Sequence, residues 1–394
     1  YVFIQYNIRI SNIMNNNHIF EFSKNHTDGD ASLTDLLGGK GANLAEMSKM
    51  GIQVPPGFTI TTEVCNYFME HAKLPDSLEK EIKVAIEKLE QYSDKQFGGD
   101  GTPLLLSVRS GGKVSMPGMM DSILNIGLND ENVSKLAEAF DDERFALDSY
   151  RRLIQMYSNV VLGLEHERFE AVIANKKRMD NVTSDADFTI DQLNWIIDAF
   201  KNTIERFSEV PFPQDPQDQL VGAVEAVFAS WLNDRAVTYR KINNIPDTWG
   251  TGATIQTMVF GNLNEKSGTG VAFTRNPSDG VKELYGEYLM NAQGEDVVAG
   301  IRTPLPLNKE ASTSGDSLEV KHHKVYEEIV NTASKLENHF KEVQDIEFTI
   351  ENEKVFLLQT RKAKRTAQAS VKIVIDMVEE GVVTKKEGLL MVDA

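Results

Sequence analysis

From Asp345 to Ile350 acidic or hydroxylic residues alternate with apolar ones. A two-residue period predicts a strand whose side chains take opposite faces in turn. Ile346, Phe348 and Ile350 form its core face, and Asp345, Glu347 and Thr349 its polar face. A loop of Asn352-Glu353-Lys354 then leads into a second strand, Val355 to Arg361. That loop length sets Glu347 opposite Gln359 and Asp345 opposite Arg361, with Phe356, Leu358 and Thr360 on the buried side. Two carboxylates converge beside a cation, which suits Mg2+ on a polyphosphate: this hard ion takes one or two carboxylates and fills its shell with water and phosphate oxygens. A half-exposed strand with a surface ion pair carries the same alternation.

Elsewhere the period changes. From Met14 to about residue 128 short apolar strands, Gly-rich turns and amphipathic stretches predict a mixed α/β region. Leu78, Ile82, Val84 to Ile86 and Leu89 recur at helical spacing after Asp76-Ser77. Residues 130–242 read as almost wholly helical, with periodic segments at 148–164, 190–207 and 220–242 and breaks at 181–187 and at the proline run 211–216. Strands return over 251–361: residues 254–260 and 270–274 read as two strands joined by a mobile Gly-rich loop, commonly a plain hairpin. A helix is expected at 325–342. The tail from Thr366 is helical, with Val371, Ile373, Val374, Ile375 and Met377 on its packing surface.

Composition narrows the function classes. The 394 residues, 41% of them hydrophobic and 25% charged, are ample for two or three packed domains. The net charge of -18 excludes a nucleic-acid surface, which needs clustered Lys and Arg; Lys176-Lys177-Arg178 reads as a solvated loop. No apolar run is long enough to span a membrane. The single cysteine, Cys65, rules out an intramolecular disulfide, predicts a small buried helix residue, and suits a reducing cytoplasm. Residues 1–13 precede Met14 and read as a non-native or disordered leader.

Three further segments carry candidate chemistry. Lys40 stands among Gly38, Gly39 and Gly41 before a helix, where free amides and close backbone approach favour an anion; the spacing is not that of a P-loop, and a plain Gly-rich helix entry fits equally. Arg109 just past a strand at 104–108, followed by Ser110, Gly111, Gly112 and Lys113, is a candidate anion cradle or an ordinary loop. In residues 286–296, Glu295 and Asp296 offer carboxylates for ribose hydroxyls or a metal, with helix capping as the competing role. His18, His26, His71, His166 and His339 carry no separate signal, and His322 and His323 read as solvated.

Taken together, residues 36–47, 107–125, 150–160, 256–277, 286–304 and 345–361 resemble the N-terminal part of the pyruvate phosphate dikinase family, over about residues 20–392. The resemblance implies an α/β (α+β) ATP-grasp fold of two lobes clamping ATP and Mg2+, with a largely helical insertion. It divides the chain into a first lobe, 14–258, including the helical segment at about 130–242, a second lobe, 259–365, and a helical linker, 366–394. By matching position, Lys40 and Arg109 bind phosphates, Gln256, Met258 and Val259 line the adenine slot, Glu295 contacts the nucleotide, Asp345 and Glu347 hold metal, and Gln359 and Arg361 flank the transferring phosphates. Arg109 and Arg361 support phosphoryl transfer. One departure is Gly112-Lys113 where the family commonly has Ala-Arg, which forfeits the guanidinium fork.

The full family enzyme resembles a cytoplasmic homodimer that converts ATP, inorganic phosphate and pyruvate to AMP, diphosphate and phosphoenolpyruvate. Its first step passes a pyrophosphoryl group to a histidine on a central phosphohistidine domain. No Thr-x-His-Ala-Ala-like motif precedes Ala394, so this portion is expected to bind ATP without completing turnover. Phosphoenolpyruvate synthase (pyruvate, water dikinase) shares the clamp, but Ser115-Met116-Pro117-Gly118-Met119-Met120-Asp121 favours the phosphate-dependent enzyme. A stand-alone nucleotide-binding regulatory module is the reading from a different class.

Overall fold

The fold was analysed in a computed structural model that describes residues 17–298, 302–312 and 315–392; the expected leader, 1–13, lies outside them. The chain divides into two compact units, residues up to 45 with 56–258, and residues 46–55 with 259 onward. Helices and two antiparallel sheets build a mixed fold. Among the described residues no helix is long and apolar enough to cross a membrane.

The first unit is centred on a sheet of order β1-β2-β5-β3-β4, formed by β1 (Ile19–Phe22), β2 (Gly57–Ile60), β3 (Leu106–Gly112), β4 (Ser122–Ile126) and β5 (Thr251–Thr257). Around it run α1 (Thr34–Lys49, its last turn counted with the second unit), α2 (Thr62–His71) and α3 (Leu78–Ser93). The expected period shows in α3, which buries Leu78, Ile82, Ala85, Ile86 and Leu89, but Val84, expected with them, is exposed. The helical layer comprises α4 (Val133–Phe140), α5 (Glu143–Val160), α6 (His166–Asp180), α7 (Ile190–Phe207), α8 (Pro216–Ala229) and α9 (Asp234–Ile242).

Several boundaries differ from expectation for local reasons. Helix α5 starts early because Asp142 caps it, accepting from the Phe145 amide. The segment expected as one helix over 220–242 breaks at Asn233, whose side chain accepts from the Ala236 amide and starts α9 afresh. Lys176-Lys177-Arg178 is not a loop but the last turns of α6, where Lys176 pairs with Asp180 at 2.8 Å and basic groups meet the negative end of the helix dipole.

The second unit contains the other sheet, of order β10-β9-β6-β7-β8: β6 (Gly268–Phe273), β7 (Tyr285–Met290), β8 (Leu305–Pro306), β9 (Gln344–Glu351) and β10 (Lys354–Lys362). Its helices are α10 (Gly294–Val298), α11 (Leu318–Lys321), α12 (His323–Phe340), α13 (Ala367–Glu379) and α14 (Lys385–Met391). The strands β5 and β6 are therefore not a hairpin, since they enter different sheets. Helix α13 is capped by Thr366 and buries Ala369, Ile373, Val374 and Met377, while Val371 and Ile375 are exposed. A helix has room for one apolar stripe against its neighbour, and residues two apart cannot all share it. Inside the second unit Arg275 is fully buried between Glu337 at 2.8 Å and Glu380 at 2.7 Å, tying the end of β6 to α12 and α13. Truncating any partner would leave a buried charge uncompensated.

Cys65 lies buried in α2, as its pattern predicts. Burial pushes its thiol up to about 12, against smaller opposing pulls from the Thr251 backbone and Arg240. At pH 8 the thiolate is then on the order of one molecule in ten thousand, and the thiolate is the nucleophile. Iodoacetamide at pH 8 should leave the native protein unmodified over hours and label it stoichiometrically in urea; rapid native labelling would show that α2 does not bury this side chain.

Candidate nucleotide and metal site

In the first unit the site is built on the polar face of the sheet. Strand β5 runs Thr254↔Arg109 and Gln256↔Ser107 against β3, and Thr254↔Thr59 against β2. Cross-strand partners share a face, so Thr59, Ser107, Arg109, Thr254 and Gln256 line one side. The Thr59 and Thr254 hydroxyl oxygens are 3.4 Å apart. Arg109 lies within β3 rather than past its end. Gly111 and Gly112 continue the ladder against Gly252 and Thr251, and the Gly111 amide also donates to Thr251 Oγ1 at 3.0 Å.

The glycine run of α1 packs on this strand. Gly38 kinks the helix with φ 66° and ψ 168°. A Cβ there would sit 1.6 Å from the Gly111 carbonyl oxygen, and one at Gly111 would meet the Lys40 Cβ at 3.2 Å. Lys40 thus stands inside α1, in the first turn after its kink, against the same strand and on the same face as Arg109. Both side chains are half-buried. Lys113 has a different place: its ammonium pairs with Asp35 and lies 4.7 Å from the centre of the Trp249 ring. Gln256 is buried in β5, while Met258 and Val259 are half-buried just beyond its end.

In the second unit β9 holds Asp345 and Glu347 opposite Arg361 and Gln359 of β10, the expected register. The route to it differs from the expectation. The turn is the two residues Asn352 and Glu353, both at positive φ, and Lys354 already pairs with Glu351. A bulge between Leu357 and Gln359 then inserts one residue into β10 and shifts every later partner by one. Before the bulge Val355 and Leu357 face the core; after it Thr360 does. Phe356 and Leu358 are only half-buried, contrary to the expected parity.

This is not a solvated face. Asp345 is 9% exposed and Thr349 4%. Arg361 Nε donates to Asp345 Oδ2 at 2.8 Å. Burial pushes the Asp345 carboxyl above the ordinary aspartate value, Arg361 draws it back down, and the charge of Glu347 raises it again. Two carboxylates within each other's field, one of them desolvated, form a donor set that a hard divalent cation satisfies. Among the described residues no cluster of three or more His, Cys, Asp and Glu is set to hold a metal by itself. A nucleotide-borne Mg2+ needs no such cluster, because phosphate and water complete its shell. Glu295 stands in the short helix α10; its side chain lies outside the described residues. Sequence reasoning missed the Leu358 bulge and the place of Thr59 on the face that carries Arg109; hydroxyl residues interleaved with apolar ones in β2 and β5 were the available signal.

The family model described as "Pyruvate phosphate dikinase, AMP/ATP-binding domain" matches residues 34–83, 69–325 and 305–382. The chain belongs to the pyruvate phosphate dikinase AMP/ATP-binding domain family. Its fold is accordingly of the ATP-grasp type. It is 48% identical over 380 residues to pyruvate, phosphate dikinase of Rhizobium meliloti (strain 1021), covering 95% of this chain and 42% of that protein. It is 50% identical over 369 residues to the Clostridium symbiosum protein of the same name, covering 93% and 41%. Against the chloroplastic pyruvate, phosphate dikinase 1 of Oryza sativa subsp. japonica the identity is 48% over 376 residues, covering 95% and 39%. The chain thus spans about two fifths of the length of these relatives.

The contact between Gly38 and Gly111 can be tested against a matched control. Gly51 has a similar φ of 72° with nothing near its missing Cβ. Gly51→Ala should cost about 1 kcal/mol for its positive φ, whereas Gly38→Ala should cost at least about 3 kcal/mol through the added clash and a φ/ψ pair that essentially only glycine adopts. Equal losses in urea denaturation would show that α1 does not rest on β3.

Proposed function

We propose that this chain is the ATP- and Mg2+-binding portion of a pyruvate phosphate dikinase, donating the pyrophosphoryl group of ATP to a histidine carried on a separate phosphohistidine domain. The whole protein's reaction is then ATP, inorganic phosphate and pyruvate to AMP, diphosphate and phosphoenolpyruvate, in the cytoplasm and as a homodimer. The observation that carries this reading is the β9–β10 register, which sets Asp345, Glu347, Gln359 and Arg361 on neighbouring positions of one face in a member of an AMP/ATP-binding family. The names of the relatives favour the phosphate-dependent enzyme over a water-dependent one or a regulatory module.

The chemistry asks little of side-chain acids and bases. Transfer to a nitrogen nucleophile passes through a loose transition state with charge spread over phosphoryl oxygens, so positioning and cations carry catalysis. Lys40 and Arg109 are assigned to phosphate oxygens, and Arg361 and Gln359 to the transferring phosphates. Gln256, Met258 and Val259 line the base slot, with Glu295 on the nucleotide. Asp345 and Glu347 would hold Mg2+, which when bound neutralises polyphosphate charge. The salt bridge to Asp345 across the strand pair, 2.8 Å, holds Arg361 against β9 instead of leaving it to search rotamers.

Calorimetric titration with ATP should show binding that needs Mg2+ and that weakens at least tenfold in Glu347→Gln. Lys40→Ala should weaken it comparably while leaving the circular dichroism melt within a few degrees. ATP affinity indifferent to Mg2+ and to Glu347→Gln sinks the metal assignment, and a cooperative loss of structure in Lys40→Ala sinks the phosphate role of that lysine.

The phosphoryl acceptor is testable separately. Incubated with β-labelled ATP, Mg2+ and phosphate, this chain should form no phosphohistidine, and no labelled phosphoenolpyruvate when pyruvate is added. Label on His18 or any other histidine of this chain would show that the nucleophile has been misplaced.

A further inference from the structure

Burying a carboxamide without hydrogen-bond partners is costly, and native proteins avoid it except where a ligand or an ordered water completes the set. Gln293 is 5% exposed, and neither its Oε1 nor its Nε2 has a partner. Among the described residues it is the one carboxamide whose two polar atoms are both buried and unsatisfied. Asn262, itself half-buried, also has a buried and unpartnered Oδ1. The Ala292 amide donates to the Gly261 carbonyl at 3.0 Å, so Asn262 and Gln293 each follow one member of a backbone pair within the second unit. A Cβ on Gly261 would meet the Ala292 carbonyl oxygen at 2.3 Å, so the two segments are held at contact. Gln293 is itself fixed: its amide donates to Asp296 Oδ2 at 2.8 Å. These segments follow the chain that runs on from Val259.

We infer that Gln293, supported by Asn262, reads the hydrogen-bonding edge of the adenine base, an inference that rests on the ATP-binding function proposed above. The argument is one of matching chemistry. A neutral carboxamide brings no charge to a phosphate or a metal, but it presents one acceptor and one donor in a single plane. Adenine offers the complement, an exocyclic N6 donor beside a ring-nitrogen acceptor, the pairing by which Asn and Gln recognise it elsewhere. Guanine and hypoxanthine carry an acceptor, O6, where adenine carries N6, so the same carboxamide in the same orientation opposes them. A buried carboxamide with both atoms unsatisfied, beside a half-buried one with an unsatisfied Oδ1, gives selectivity a physical source: a ligand that satisfies them recovers a desolvation cost that a mismatched base does not.

The test compares nucleotides rather than activities. The full chain is titrated with MgATP and MgGTP, and then Gln293→Met, close in length but lacking donor and acceptor, is titrated likewise. The preference of the wild-type chain for ATP should fall roughly tenfold to a hundredfold in the variant through loss of ATP affinity, the range set by one bidentate base contact. Gln293→Glu, which keeps an acceptor and loses the donor, should fall between them. Asn262→Ala provides a second route if Gln293→Met melts early, and should reduce the same ratio. An unchanged ATP-to-GTP ratio overturns the inference, whether both affinities hold, as with a buried water on Gln293, or both fall equally, as with a packing or phosphate role. A wild-type chain that binds neither nucleotide fails the proposed function itself, so the two failures are distinguishable.

Discussion

One inserted residue in β10 decides which side chains stand opposite Asp345 and Glu347. Without the bulge at Leu358, the pairing of Lys354 with Glu351 would run on unbroken and set Gln359 against Ile346 and Arg361 against Gln344. Both polar side chains would then point into the apolar core, while Leu358 and Thr360 faced the carboxylates. The bulge flips the parity once, after Val355 and Leu357 have contributed to the core and before Gln359 begins the polar face. The strand thus turns Val355 and Leu357 to the core in its first half and Gln359 and Arg361 to the carboxylates of β9 in its second. Bulges are enriched next to active sites because they re-aim side chains in this way.

A second constraint, of a different kind, governs the first unit. Helix α1 can bring Lys40 against β3 only because neither backbone carries a Cβ where Gly38 meets Gly111. Gly38 meets two demands at once, positive φ and absent side chain, and only the first is visible in its torsion angles. The polar face beneath, with Thr59, Thr254 and Gln256, is buried yet hydrogen-bonded, so that side of the sheet is dry without being apolar.

Periodicity made the core faces legible because burial imposes it directly. Ile346, Phe348 and Ile350 were readable as core, α3 was readable from its spacing, and the span 190–207 matched α7 to the residue. The β9–β10 register was read correctly through a pair of offsetting errors, a loop one residue too long and an unseen bulge. No local signal separates those cases, since each shifts the partners by one. Arg109 was placed beyond its strand because Gly111 and Gly112 look like loop residues; only the facing β5 shows that they pair. The stripe on α13 was overread since apolar residues at 371 and 375 carry no label distinguishing a covered face from an exposed one. Gln293 escaped notice because its signature is an unmet hydrogen bond, which exists only in three dimensions.

A chain of net charge -18 that handles a polyanion needs its electrostatics to be local. At physiological ionic strength exposed charges beyond about 8 Å are largely screened, so the distant acids contribute little to the potential at a phosphate while a cation in contact contributes fully. Counting cations along the sequence therefore misjudges such a site. Lys113 is a case in point, since its charge is answered by Asp35 and its ammonium lies over the Trp249 ring. Lys40 and Arg109, the proposed phosphate ligands, have their places fixed by backbone contacts and strand pairing rather than by the overall field.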